Sequence, residues 1–187
     1  MSRFLKDYIN GYEDVIETVS EMSKDQDVPF VESDFKGINF DKITAQYFLN
    51  NRVGDAKGER KNKVSYPSKS NDSVVEYNNM DYFVEFKNSM DPKKKELYGK
   101  IRDSMLVYLD IMDEKLSYAR ENVGYILVFQ KHEGFNRFEN ELKNLAKEKM
   151  EYGSIRTNCK GLYFKDVLFM SAEEFKNVVC KSREEID

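Results

Sequence analysis

Tryptophan is absent from this chain of 187 residues, histidine occurs once, cysteine twice and proline three times. His132 has no serine or cysteine partner in any recognisable motif, so it reads as a loop residue rather than the base of a nucleophilic site. Cys159 and Cys180 fit no metal-ligand spacing. Two reduced thiols are the expected state, with a disulfide as the alternative. No glycine-rich phosphate-binding loop is present, which argues against nucleotide-dependent phosphotransfer. No apolar run approaches the roughly 18 residues that a membrane-spanning helix needs. The opening stretch MSRFLKDYINGYEDV is charged and amphipathic, without the apolar core of a signal peptide, so a reducing cytoplasm is the expected location. There is also no excess of positive charge. With 30 basic and 34 acidic residues the net charge is -4, which does not advertise a nucleic-acid binder, although local patches matter more than the sum. No internal repeat or low-complexity tract occurs.

What is present is apolar and aromatic. The hydrophobic fraction is 40% and the aromatic fraction 13%, supplied by Phe and Tyr, which fits one globular domain across residues 1–187. Residues 2–23 carry a helical stripe at Leu5, Tyr8, Ile9, Tyr12, Ile16, Val19 and Met22. A second helix is expected over about 40–51, followed by GDAKGERKNK, a basic loop rich in glycine and lysine. The period then becomes strand-like: a short strand at 63–66, then 72–77 (DSVVEY) and 82–88 (YFVEFKN) around the turn-forming NNMD. Asp91-Pro92 suits a helix start, and the stripe Leu97, Ile101, Met105, Tyr108, Met112 and Leu116 suits one long helix after it. VGYILVFQ (123–130) reads as a buried central strand. A charged helix at 135–150, a strand at 161–169 and a short helix from Ala172 follow. The order implies an α/β fold: a mixed central sheet flanked by helices, with an antiparallel hairpin extended by a strand arriving through a helical crossover.

The hairpin holds the chemistry. Side chains alternate along a strand, so Phe83, Glu85 and Lys87 share one face and Tyr82, Val84 and Phe86 the other. A four-residue turn at Asn78–Asp81 sets Val74 opposite Glu85 and Asp72 opposite Lys87. A two-residue turn at Asn78-Asn79 sets Asp72 opposite Glu85 instead. In both registers Asp72, Glu85 and Lys87 share a face, and Glu76 lies on it too. Phe83 and Val74 lie there as well, so a purely solvated face is not expected. Two carboxylates and an ammonium on one sheet face suit Mg²⁺, which takes one or two protein carboxylates and keeps several waters.

Asp72, twelve further residues and then Glu85-Phe86-Lys87, set in this order of elements, resemble the PD-(D/E)XK or restriction-endonuclease-like nuclease superfamily with its αβββαβ core. The resemblance covers residues 40–130, leaving 1–35 as an N-terminal helical extension and 131–187 as a C-terminal addition of helix and strand. It implies that Asp72 and Glu85 bind Mg²⁺, with Mn²⁺ able to substitute. The main-chain carbonyl of Phe86 would assist, and Lys87 would serve the attacking water. An additional acidic residue can come from the first core helix, where Asp41 falls, and Glu76 is a second candidate. One departure is Asn71, which stands where the family often has proline.

The implied activity is Mg²⁺-dependent hydrolysis of nucleic-acid phosphodiester bonds, most simply by a DNA endonuclease, and pairing into a homodimer is compatible with that. Candidate phosphate contacts are Lys57, Arg60, Lys61 and Lys63 in the basic loop, Lys93 and Lys100 beside the cleft-bordering helix, and Gln130 at the end of the buried strand. Ser104 lies on the same helix flank as Lys100. The competing reading is a catalytically inactive interaction, immunity or regulatory protein built on the same sheet.

Overall fold

Apolar side chains fall on both sides of residues 82–86 and 123–128, which requires a sheet covered on both faces. The computed structural model describes residues 12, 14–25, 27–51, 69–87, 94–129 and 153–181. Its centre is a six-stranded sheet made of β1 (Ile16–Thr18), β4 (Lys36–Asn39), β5 (Ser73–Tyr77), β6 (Met80–Lys87), β7 (Val123–Phe129) and β8 (Asp166–Ser171), in that spatial order. The pairs from β1 to β6 are antiparallel, and β6–β7 and β7–β8 are parallel, so the sheet is mixed. Two short strands, β2 (Lys24–Asp25) and β3 (Val28–Pro29), form a separate ribbon.

One face is covered by α2 (Phe40–Asn50), α3 (Lys94–Met112), α4 (Leu116–Asn122) and a helix over 153–159, α5. The core there includes Phe40, Ile43, Val74, Phe83, Leu97, Ile101, Tyr108, Tyr125 and Leu127. The other face carries Val75, Tyr82, Val84, Ile126 and Val128 against Val19 and Met22 of α1 (Val19–Met22), Val31, and Phe175 of α6 (Ala172–Phe175). The α6 start is fixed by a capping box between Ser171 and Glu174. The long stripe of α3 is buried from Leu97 through Met112, as its spacing predicts. Among the described residues no helix is long and apolar enough to cross a membrane.

Several boundaries differ from expectation. Residues 16–18 are not helical: Asp14 has a positive φ of 53°, and Ile16 to Thr18 pair with β4 as an edge strand. Tertiary bonds outweigh the helical stripe here. Ser20 Oγ and Ser23 Oγ accept from the main-chain N–H groups of Ser33 and Val31, at 2.8 and 3.0 Å. Residues 16–18 are therefore an edge strand of the sheet. The strand beside β5 is β4, which precedes α2 in the chain; the short strand expected at 63–66 lies outside the described residues. The expected helices over 2–11 and 135–150 also lie outside them. The helix expected to continue through Leu116 breaks at Asp113, whose φ is 49°, and restarts as α4. The last strand begins at Asp166 instead of 161, because residues 160–164 fold back in a turn. Cys159 and Cys180 are free and buried in the cores on opposite faces of the sheet, which closes the disulfide alternative.

The hairpin itself is tight. Tyr77 pairs with Met80 across Asn78 and Asn79, whose φ values of 50° and 58° make a two-residue turn that suits asparagine. The register Val74–Phe83 and Ser73–Val84, continued by one residue, sets Asp72 opposite Glu85. β6 then feeds α3, and β7 returns parallel to β6 with Tyr82 beside Gly124 and Glu85 beside Leu127.

Candidate active site

Glu85 lies on the face packed by α2 and α3, and it is wholly buried at 0% exposure. An ionised carboxylate in such a place needs partners. Two lysines supply them. Lys87, two residues along the same strand face, puts Nζ 2.7 Å from Glu85 Oε1. Lys100, on α3, puts Nζ 2.8 Å from Oε1 and 3.0 Å from Oε2 of Glu85. The two contacts on Oε1 are charge contacts without hydrogen-bond alignment.

Asp72, the cross-strand neighbour of Glu85, is held from three sides. Its Oδ1 accepts from Lys100 Nζ at 3.0 Å, its Oδ2 from the main-chain N–H of Phe86 at 2.7 Å, and its carbonyl from the N–H of Phe40 at 3.1 Å. The last bond ties it to the start of α2. One ammonium thus touches both carboxylates, so Asp72 and Glu85 are directed at a common point. In a strand a residue's N–H and C=O face the same neighbour, so the Phe86 carbonyl points to the flank on which Asp72 sits. Its ring lies on the opposite face, against Phe30 and Phe175.

The electrostatics follow from burial. Desolvation, the larger cause, and the charge of Asp72 outweigh the two lysines and push the Glu85 carboxyl up to about 7. Burial works against the Lys100 ammonium, but the charges of Asp72 and Glu85 win and its pKa lies above the ordinary lysine value. Asp41, in the first turn of α2, is exposed as a residue, yet its carboxylate turns inward and accepts from Ser70 Oγ. Burial raises its pKa, the Ser70 hydroxyl lowers it, and the Asp72 charge raises it further. Its other electrostatic neighbours are Lys100 and Lys87, so the structure brings Asp41 to the rim of the cluster.

Other expected residues fall elsewhere. Glu76 shares the face but stands opposite Asp81 near the turn. That is four residues from Asp72, about 13 Å along the strand. Ser104 is fully buried and accepts the Asn71 N–H at 2.8 Å, so it serves the fold and not a phosphate. That bond requires a main-chain N–H at position 71, which a proline would lack. Lys100, expected as a phosphate contact, lies between the carboxylates of Asp72 and Glu85. Its spacing from the apolar stripe placed it on the correct flank of α3, but only the docking of α3 on the sheet defines its partners. Lys57, Arg60, Lys61, Lys63, Lys93 and Gln130 lie outside the described residues.

Among the described residues no group of three or more acidic, histidine or cysteine side chains is arranged to hold a metal ion. The set that can share a cation is smaller: the two carboxylates of Asp72 and Glu85, with the Phe86 carbonyl on the same flank. Convergence of both carboxylates on one ammonium shows that they can address a single cation, and two such ligands suit Mg²⁺. No protein-family model matches the chain, and neither a curated protein nor a solved structure matches it.

Proposed function

We propose that the protein is a metal-dependent nuclease of the restriction-endonuclease-like type, hydrolysing nucleic-acid phosphodiester bonds, with DNA as the first substrate to test. The observation that carries this reading is the convergence of Asp72, just ahead of β5, and Glu85, in the adjacent β6, on one point beside Lys87. A bound Mg²⁺ or Mn²⁺ would polarise the phosphodiester and acidify a coordinated water. Asp72 and Glu85 would hold the ion, joined by the main-chain carbonyl of Phe86. Lys87, with its side chain one-quarter exposed, is the group able to reach a water and the charge developing on phosphorus. Asp41, oriented by its bond to Ser70, stays at the rim of this pair as a charge neighbour of Asp72, Lys100 and Lys87.

The position of Lys100 favours a second reading. An ammonium between two carboxylates also makes a structural ion cluster that ties α3 to the sheet, as an inactive interaction or regulatory protein on this fold would have. Cleavage decides between them. Plasmid, linear and single-stranded DNA, and RNA, are incubated with wild type, Glu85→Gln and Lys87→Ala in Mg²⁺, Mn²⁺ or EDTA. The nuclease reading expects metal-dependent cutting that falls at least about 100-fold in both variants, the lower range for loss of a group acting on proton transfer. Absence of cutting on every substrate, or cutting that persists undiminished in Glu85→Gln, favours the ion-cluster reading.

A further inference from the structure

The proposed reading leaves one basic residue without a role: Lys100, the only side chain among the described residues that bonds both Asp72 and Glu85. Its Nζ lies 2.8–3.0 Å from three of their oxygens, which is the space a shared divalent cation would use. The backbone beneath it is rigid. Leu97 and Ile101, on either side in α3, are buried at 0% exposure. The stem above it is not, because lysine carries its charge on four flexible methylenes. The Lys100 side chain is 21% exposed, and among the described residues no heavy atom lies within 4 Å of where a Cβ on the preceding Gly99 would stand.

Charge makes the occupancy consequential. Two carboxylates and two ammonium groups form a neutral cluster as it stands. A divalent cation entering with Lys100 in place would raise the cluster to a net charge of two, whereas one that displaces Lys100 leaves a net charge of one. Resting on the metal-site reading, we propose that Lys100 is the resident counter-cation of the Asp72–Glu85 pair and competes with the divalent cation for it. When no metal is bound, Lys100 offsets the mutual repulsion of the buried Glu85 and half-buried Asp72 carboxylates and keeps both aimed at a common point. When metal binds, the ammonium swings out toward solvent, where a phosphate of the substrate is the natural acceptor. Lys100 is thus a positioning residue that sets the metal concentration at which the site loads. Among the described residues Lys87 pairs with Glu85 and not with Asp72, so it does not bridge the two carboxylates.

Titration calorimetry with Mn²⁺ at pH 8, without nucleic acid, tests this on the full chain. Wild type, Lys100→Met, Lys87→Met and Glu85→Gln are compared, with thermal melting of each protein with and without Mn²⁺. Lys100→Met is expected to bind Mn²⁺ at least tenfold more tightly than wild type and to gain more Tm from saturating Mn²⁺. Lys87→Met is expected to change affinity less than Lys100→Met does. Should Lys100→Met fail to fold, Lys100→Gln, which keeps a donor and removes the charge, takes its place in the same comparison. Equal or weaker Mn²⁺ binding by the Lys100 variant, with wild type binding and Glu85→Gln not, overturns the counter-cation role and leaves the metal site standing. Absence of Mn²⁺ binding by both wild type and the Lys100 variant overturns both.

Discussion

At the scale of single residues, Glu85 carries a cost that its neighbours only partly offset. Its carboxyl titrates near 7 in the folded chain against an ordinary value of 4.5, so between those pH values the folded state holds a proton that the unfolded state has lost. Stability therefore falls as pH rises through that window and is greatest, for this group, below it. Glu85→Gln fixes the neutral form. Urea melts at pH 5, 6, 7 and 8 are expected to show a flatter pH dependence for the variant and, at pH 8, a higher midpoint than wild type. An unchanged slope would mean that the lysines fully compensate the buried charge. Asn71 makes a second residue-scale case. Its N–H is the partner of the buried Ser104 hydroxyl, so Asn71→Pro, which brings the chain nearer the nuclease pattern in letters, is expected to destabilise it by about 1–3 kcal/mol. Chemical denaturation measures the difference directly, and a neutral result would show that the bond is replaceable.

At the scale of elements, the hairpin and the crossover bring the site residues together. The register of β5 and β6 depends on a two-residue asparagine turn, and one residue more or less in that turn would move Asp72 off the face of Glu85. The sequence allowed either of two even-length turns, and both kept the carboxylates on one face. Alternation alone was therefore enough to select Asp72, Glu85 and Lys87. The β6–β7 contact depends on close approach. A Cβ on Gly124 would fall 2.1 Å from the Tyr82 ring, which is 4% exposed and confined between the sheet and its cover. Gly124→Ala is expected to cost about 1–3 kcal/mol through overpacking, and Gly124→Ala with Tyr82→Leu to recover part of it. Additive losses in that double-mutant comparison would show that the ring is not what resists the methyl group. Edge elements were less legible. The apolar letters Ile16, Val19 and Met22 fit a helical period, yet Ile16 is half exposed on an edge strand because serine hydroxyls and the pairing with β4 hold this segment to the sheet.

For the whole molecule, the net charge of -4 limits how a nucleic acid could be held. If the proposed activity is correct, few phosphates are neutralised, and the logarithm of the binding constant should fall with the logarithm of salt with a slope of only about -2 to -4. Fluorescence anisotropy with a labelled duplex in Ca²⁺ would measure it, and a slope near -8 would point to an extended basic groove instead. The sequence by itself determined the α/β plan of a mixed sheet flanked by helices, because periods of two and 3.6 residues mark which faces must be covered. It also determined that two carboxylates and a lysine share one sheet face, because alternation is a local rule. Only the tertiary structure decided that β4, from ahead of α2, completes the sheet, that Ser104 is a partner for Asn71, and that Lys100 stands between Asp72 and Glu85. Those depend on which helix docks where and at what angle, and contacts between residues 15 to 33 positions apart leave no mark on the local pattern of either partner.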